Sequence, residues 1–313
     1  MNPIILALPG NETLAQSLIS DLPADAGALT LRAFPDGESY LRIDTELHGR
    51  DVVIAATLDH PNDKLIPLYL LATTARQLGA RRVLLAAPYL PYLRQDQRFH
   101  PGEALSAQAI ARLLSAFLDG VVTIEPHLHR IHALSEVFKI PATSVSAAPA
   151  LADWVREHVP LPLLIGPDDE SRPWVAALAE RIGCPYQVLR KVRLDDHTVE
   201  VSAPHLAGQL DRTPVLVDDI ISTGRTLIAA IDQLRAAGAA TPICIGVHAL
   251  FVADAAAELR KAGATRVVTG NSIAHVSNGI DLHGLLLRPL RQLLAAPAAV
   301  NQSAPAAAHQ SAH

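Results

Sequence analysis

The stretch from Val215 to Thr226 reads Val-Leu-Val-Asp-Asp-Ile-Ile-Ser-Thr-Gly-Arg-Thr, and it narrows the possible folds sharply. Three apolar β-formers, Val215 to Val217, run into two adjacent acids, Asp218 and Asp219. A short hydroxylic turn follows, with Ser222, Thr223 and Gly224, and then Arg225 and Thr226. Beyond it, Leu227, Ile231 and Leu234 recur at the spacing of one helix face. A buried strand that opens onto a helix N-terminus aims several backbone N–H groups, and the positive end of the helix dipole, at one spot. Ser222, Thr223 and Thr226 add hydroxyl donors. Paired carboxylates beside such an anion site suit a ligand that carries a phosphate and neighbouring hydroxyls. A sugar phosphate meets that description, and a bound Mg²⁺ would also satisfy the acids.

Strand and helix signals alternate along the rest of the chain. Residues 4–8, 52–56, 82–86 and 121–125 read as buried strands, with helical periodicity over 65–78 and 106–118. Gly79 and Gly120 stand where helix stops belong. Residues 33–43 contain Pro35-Asp36-Gly37-Glu38 followed by alternation through Tyr40 and Ile43, which predicts a hairpin. The pattern then restarts. Helices are predicted over 151–158, 172–182, 226–237 and 253–262, strands over 163–166, 215–217, 243–247 and 266–269, and a second hairpin over 186–192 and 199–202. Two successive halves of similar size predict an α/β chain of two tandem domains, 1–146 and 147–294. Each is a mainly parallel sheet flanked by helices. Residues 295–313 are Ala, Pro, Ser, Gln and His-rich and predict a disordered tail, in which His309 and His313 are solvated. Ligands of such sheets bind beyond the carboxyl ends of the strands, where the Asp218–Thr226 loop falls.

Composition excludes several function classes. The 313 residues are half hydrophobic, ample for a core, and carry a net charge of −5 with no block of Lys or Arg. The basic footprint of a nucleic-acid binder is therefore missing. Residues 1–9 lack a positive leader region and read as a first strand. The longest apolar run, Leu65 to Ala75, is broken by Pro67, Thr73 and Thr74, so no membrane span is expected. Cys184 and Cys244 lie far apart, which suits free thiols in a reducing cytoplasm. Trp154 and Trp174 lie on amphipathic helices and read as core.

Several polar clusters follow apolar strands: Arg94-Gln95-Asp96, Glu125-Pro126-His127 and Asp168-Asp169-Glu170, while Lys191-Val192-Arg193 lies on the second hairpin. Taken in order with Phe34-Pro35-Asp36-Gly37-Glu38 and the Val217–Thr226 loop, they resemble the ribose-phosphate pyrophosphokinase family over residues 1–290. Gly102-Glu103-Ala104-Leu105-Ser106 is similar to the archaeal-type branch. The resemblance implies two phosphoribosyltransferase-like domains. It also implies Mg²⁺-dependent transfer of the pyrophosphoryl group of ATP to the C1 hydroxyl of ribose 5-phosphate, releasing AMP. By the same resemblance Lys191 and Arg193 are catalytic, and Phe34, Asp36, Gly37, Glu38, Arg94, Gln95 and Asp96 bind ATP. Asp218, Asp219, Ser222, Thr223, Gly224, Arg225 and Thr226 hold ribose 5-phosphate, and His127 and Asp168 are linked to the metal. It further implies a homo-oligomer, a dimer or hexamer, in which the first hairpin reaches a neighbouring subunit's site.

Four positions depart from the family's usual pattern. Arg225 replaces a second glycine, Gln97 a Lys or Arg, Glu125 an Asp, and Glu170 a Gly. Arg takes positive φ less readily than Gly, yet its guanidinium suits a phosphate. His127, His129 and His132 do not have the spacing of a zinc site, and only His127 carries a functional expectation. Two other functions share part of the pattern. A phosphoribosyltransferase would use the same sugar-phosphate loop but needs only one such domain. A non-catalytic relative that regulates an active enzyme would not need Lys191, Arg193, His127 and Asp168 together.

Overall fold

The computed structural model describes residues 1–128, 130–193, 199–201, 204, 206 and 208–297, with the backbone alone at 191–193 and 199–201. In chain order the first half comprises β1 (Ile4–Ala7), α1 (Glu12–Asp21), β2 (Asp25–Ala26), β3 (Leu29–Ala33), β4 (Ser39–Ile43), β5 (Asp51–Ala55), α2 (Pro61–Gln77), β6 (Arg82–Ala87), α3 (Ser106–Ser115), β7 (Gly120–Ile124) and β8 (Ala142–Val145). The second comprises α4 (Ala148–His158), β9 (Pro162–Gly166), α5 (Arg172–Ile182), β10 (Tyr186–Val188), β11 (Lys191–Arg193), β12 (Val199–Val201), β13 (Thr213–Ile221), α6 (Arg225–Ala236), β14 (Ile243–Ala249), α7 (Ala255–Ala262), β15 (Arg266–Gly270), β16 (Asn278–Ile280) and α8 (Leu287–Ala295).

The two halves repeat one topology. The first sheet runs β2-β1-β5-β6-β7-β8 and the second β10-β9-β13-β14-β15-β16, and every pairing in both is parallel. In each half a two-stranded antiparallel ribbon, β3-β4 or β11-β12, is inserted before the sheet's third strand. Parallel strands need helical crossovers and are therefore covered on both faces. Val53 and Ala55 of β5 accordingly enter one core, and Val52 and Ile54 enter another. The first of these cores is shared by the two halves. It joins Ile5, Val122 and Ile124 of the first sheet to Leu164, Val217 and Ile245 of the second, through Leu18 of α1, Trp154 of α4, Leu178 of α5 and Leu290 of α8.

Sequence periodicity located most elements to within a few residues, and the structure corrects it in four places. Residues 186–188 do not belong to a hairpin. They form β10, the parallel edge of the second sheet, and only 191–193 and 199–201 pair as a ribbon. Gly120 does not stop a helix, since α3 already ends at Ser115. It opens β7, where a Cβ would sit 3.0 Å from Leu84 and 3.3 Å from Leu293, so its small size lets α8 approach the sheet. Gly79, with φ +84°, does follow the end of α2. Helices α1 and α8, which the sequence reading did not single out, pack against the shared core, with Leu287, Leu290 and Leu294 of α8 at one-face spacing. The expected tail lies outside the described residues from 298 onward, and Ala295 is the last residue of α8. Arg82, buried at the start of β6, donates to the carbonyls of Leu293, Leu294 and Ala296 and ties that helix to the first sheet.

Candidate active site

In each sheet the strand order reverses between the first strand and its third, the point at which α/β sheets open a crevice. In the second sheet these neighbours are β9 and β13. Asp168 stands just past β9, and Asp218 and Asp219 lie near the end of β13. The strand outruns its expected end at Val217 because β14 runs on beside it, with Ile220 opposite His248 and Ile221 opposite Ala249. Asp218 and Asp219 are thus held on strand backbone rather than on a loop. Asp168 accepts a hydrogen bond from the Ser171 N–H at 3.1 Å, which fixes its carboxylate at the next turn.

The three acids crowd one another. Burial, and then the negative charges of Asp219 and Asp168, push the Asp218 carboxyl well up. Burial works against ionisation of Asp219 too, but the hydrogen bond from His127 and the charge that His127 carries when protonated hold it at about 2. Two adjacent carboxyls are therefore driven apart, Asp219 held down and Asp218 pushed up. His127 comes from the other half of the chain and meets Asp219 with Nδ1 at 2.6 Å from Oδ2. A histidine oriented by a carboxylate in this way is the arrangement that prepares the second ring nitrogen for a metal or a proton. Beneath the acids, burial and the Asp218 carboxylate raise the Cys244 thiol to about 12, so it is inert.

Behind Asp219 the chain turns through Ser222 and Thr223 into α6. Gly224 precedes the helix with φ +69°, and a Cβ there would also press on Leu259 of α7 at 3.3 Å. Its C=O accepts the first helical bond from Ile228 at 2.9 Å. Gly224 at the N-cap position has no side chain to cap this helix, which suits its first-turn N–H groups to an anion. Arg225 is the first helical residue and is exposed. It is absent from the positive-φ residues, so Gly224 alone carries the left-handed conformation and Arg225 is free of the backbone conflict its substitution for glycine suggested.

The other expected residues lie in three places. Phe34, Asp36, Gly37 and Glu38 form the exposed tip of the β3-β4 ribbon, which hydrogen-bonds to itself. Phe34 N donates to Glu38 O at 2.7 Å, Glu38 N donates to the Asp36 carboxylate at 3.1 Å, and Gly37 has φ +92°. Arg32 lies over both the Phe34 ring, at 4.7 Å, and the Tyr40 ring, at 4.3 Å. Arg94 is exposed beyond β6. Gln95 receives the Ser106 hydroxyl at 3.3 Å, and Asp96 is buried against Arg130, whose N–H and guanidinium reach it at 3.1 and 3.0 Å. Lys191 and Arg193 sit opposite Val201 and Val199 on the second ribbon, and their side chains lie outside the described residues. His132 is exposed, Trp154 is buried and Trp174 is half-buried. His129 lies outside the described residues. Glu170 is exposed on the turn after Asp168.

With this geometry in view, comparison with known proteins decides the family. Residues 3–117 match the model of the N-terminal domain of ribose phosphate pyrophosphokinase, and residues 136–283 match the phosphoribosyl transferase domain. The ribose-phosphate pyrophosphokinase of Methanobrevibacter smithii is 32% identical over 92% of this chain and 100% of its own. That of Methanopyrus kandleri is 35% identical over 86% of this chain and 92% of its own. The chain belongs to the ribose-phosphate pyrophosphokinase family. Its fold matches the crystal structure of phosphoribosylpyrophosphate synthetase from Mycobacterium smegmatis, with a TM-score of 0.82 at 24% identity over 94% of this chain and 99% of that one.

Three residues at the site of this pyrophosphokinase relative escaped the sequence reading. Arg130 fixes the Arg94–Asp96 loop through Asp96. Tyr89, buried just past β6, lies close enough for the charges of Arg94 and Asp219 to act on its hydroxyl, whose pKa burial raises. His248, on β14, is buried against Tyr89, with ring centroids 5.0 Å apart. Each stands at or just past the carboxyl end of a strand, and that position is the one signal that could have marked them.

Proposed function

We propose that this site makes phosphoribosyl pyrophosphate by transferring the pyrophosphoryl group of ATP to ribose 5-phosphate. One observation carries the assignment: a carboxylate pair beside the N-terminus of α6 on one half is met at 2.6 Å by a histidine from the other half. Asp218 and Asp219 would accept from the sugar hydroxyls, and Ser222, Thr223, Gly224, Arg225 and Thr226 would enclose the 5-phosphate. The C1 oxygen attacks the β-phosphorus of ATP, the bridge to the α-phosphorus breaks, and AMP leaves. Such a transfer needs positioning and charge neutralisation more than covalent chemistry. Lys191 and Arg193 of the second ribbon supply fixed positive charge.

Mg²⁺ fits the donor chemistry, because Asp168, Asp218 and Asp219 are hard oxygen ligands with excess negative charge. His127 and Asp168 would place it. Among the described residues no group of three or more His, Cys, Asp or Glu is arranged as a cage. That suits an ion that keeps its waters and is held partly by substrate phosphates. When bound, it screens the phosphate charge.

Phe34 would stack on adenine and Asp36, Gly37 and Glu38 would hold the nucleotide, in the site of a neighbouring copy that the exposed ribbon can reach. A dimer or hexamer follows from that arrangement. Arg94 and Gln95 would contact ATP, with Asp96 holding their loop. The functional division lies between 1–146 and 147–294. Among the described residues no helix is long and apolar enough to cross a membrane, and the cytoplasm is the proposed location. Incubation with ATP, ribose 5-phosphate and Mg²⁺ should yield AMP only when the sugar is present. Release of pyrophosphate from phosphoribosyl pyrophosphate and a free base, without sugar-dependent AMP, would instead make the chain a phosphoribosyltransferase.

A further inference from the structure

His248 is buried where the two halves meet, and the proposed chemistry has no use for it. Its Nε2 lies 3.0 Å from the carbonyl oxygen of Glu125, which belongs to the other half. A carbonyl can only accept, so Nε2 carries the proton and donates. Burial is the largest influence on this imidazole and lowers its pKa to about 4, so the ring is neutral and Nδ1 accepts. The Ser272 hydroxyl lies 2.8 Å from Nδ1 and 3.1 Å from the Val247 carbonyl, two acceptors for its one proton. Ser272 is itself tied to the first half, since its carbonyl accepts from the Thr57 hydroxyl at 2.7 Å.

Glu125 is an unusual residue to hold. Its φ of +37° is left-handed, a conformation that a non-glycine residue keeps only where the surroundings impose it. Three contacts impose it here. Glu125 N donates to Val145 O at 2.8 Å. Its carboxylate receives Ser146 Oγ at 2.9 Å and Ala147 N at 2.7 Å. Its carbonyl receives His248. The first two contacts lie within the chain leading out of β7 and β8, the carboxylate also faces Trp174 of α5, and the third ties the carbonyl to the second sheet. Two residues beyond this turn stands His127, at 2.6 Å from Asp219.

We infer that His248 is a positioning residue: by gripping the Glu125 carbonyl it sets the turn that delivers His127 to Asp219 across the joint between the halves. It acts through His127 and touches no substrate. The apolar cluster of Tyr89, Ile220, Ala249 and Ile273 packs around the same joint and keeps water from competing for the bond. The inference rests on the proposed role of the His127–Asp219 pair, and a paired substitution separates the two. In His248→Gln the amide nitrogen can replace Nε2 and keep the bond to Glu125 while losing Ser272. In His248→Asn the shorter amide can keep Ser272 while losing Glu125.

His248→Gln should keep at least about a third of the wild-type kcat. His248→Asn should lose about tenfold or more, with the KM for ribose 5-phosphate within about twofold and a several-fold higher Mg²⁺ requirement. Metal-free crystals should show the Nδ1–Oδ2 contact intact in His248→Gln and opened beyond about 3.5 Å in His248→Asn. Equal activity in the two variants, or an intact His127–Asp219 contact in His248→Asn, would overturn the inference. Should His248→Asn not fold, His248→Gln and Ser272→Ala decide it. Both should stay above about a third of the wild-type kcat with the contact intact, and a tenfold loss in either overturns it. Absence of sugar-dependent AMP in the wild type would sink the proposed reaction alone, because the crystallographic comparison still reports on His248.

Discussion

The two halves share a strand order, yet their switch points are built in opposite ways. In the second half, Asp168, Asp218 and Asp219 crowd one another beside a helix whose N-cap residue, Gly224, has no side chain. In the first half the same place, between β1 and β5, is closed by mutual satisfaction. Asn11 Oδ1 accepts the Thr57 N–H at 2.6 Å and its amide donates to Leu8 O at 3.1 Å. Lys64 pairs with Asp59 and donates to Thr57 O at 3.0 Å. A cavity of about 380 Å³ remains there, covered by Asn271, Ser272 and Asn278 of the other half. Polar groups that satisfy one another stabilise a joint, whereas acids that crowd one another suit a bound cation. One topology thus carries the candidate site in one half and a self-satisfied joint in the other.

The sharpest way to break this contrast is Asp218→Asn, which removes the acid that burial and its neighbours push up. Activity should fall by about a hundredfold or more, while thermal stability stays level or rises because a repelling charge has gone. A variant that lost stability along with activity would make the acids structural. Next, Mg²⁺ with ribose 5-phosphate should raise the wild-type melting temperature, by an amount equivalent to about 2.7 kcal/mol at a hundred times the dissociation constant, and should do little for Asp218→Asn. The first half should respond the other way. Asn11→Ala leaves the Thr57 N–H buried without its acceptor and should cost about 1–3 kcal/mol in denaturant unfolding, with kcat changed less than about twofold in the folded protein.

The pH dependence of stability should differ in sign between neutralised and crowded acids. Asp51, at the start of β5, lies against Arg81 and Arg82. Burial opposes its ionisation, but the hydrogen bonds and charges of the two arginines hold it at about 2. Its contribution is therefore present above pH 3.8 and is lost as pH falls towards 2. Asp218 is raised, so its contribution is full below pH 3.8 and is lost as pH rises through its folded value. In metal-free protein, Asp218→Asn should gain stability over the wild type as pH rises, and Asp51→Asn should lose its disadvantage as pH falls. Identical slopes for the two variants would contradict the contrast. The smallest effect belongs to Arg225→Gly, which should raise the KM for ribose 5-phosphate about two- to fivefold without altering kcat.

The candidate phosphate loop was legible in the sequence because its parts are neighbours in the chain. A strand, two acids, a hydroxylic turn and a helix start cannot separate, so residues 215–226 announce their chemistry wherever they fold. The strand extends four residues further than periodicity suggested, because pairing with β14, rather than local composition, ends it. Repetition of the halves was invisible in residue identities but plain in strand order, since topology needs only the pattern of buried positions. Arg130 and His248 were illegible as site residues, and Asn11 as a residue of the joint. Asn11 meets Thr57 across 46 positions and His248 meets Glu125 across 123, and neither spacing leaves a local trace.

Local chemistry in the chain by itself determined the alternation of buried strands and amphipathic helices, and the acid pair placed beside a helix N-terminus. Those features follow from side-chain periodicity and turn residues, which act over a few positions. Tertiary structure alone decided which acid is pushed up and which is held down, which histidine meets the pair, and which of two equivalent crevices gathers crowded acids. Charge crowding and hydrogen-bond satisfaction depend on distances of about 3 Å between groups far apart in the chain, and only the packed core sets those distances.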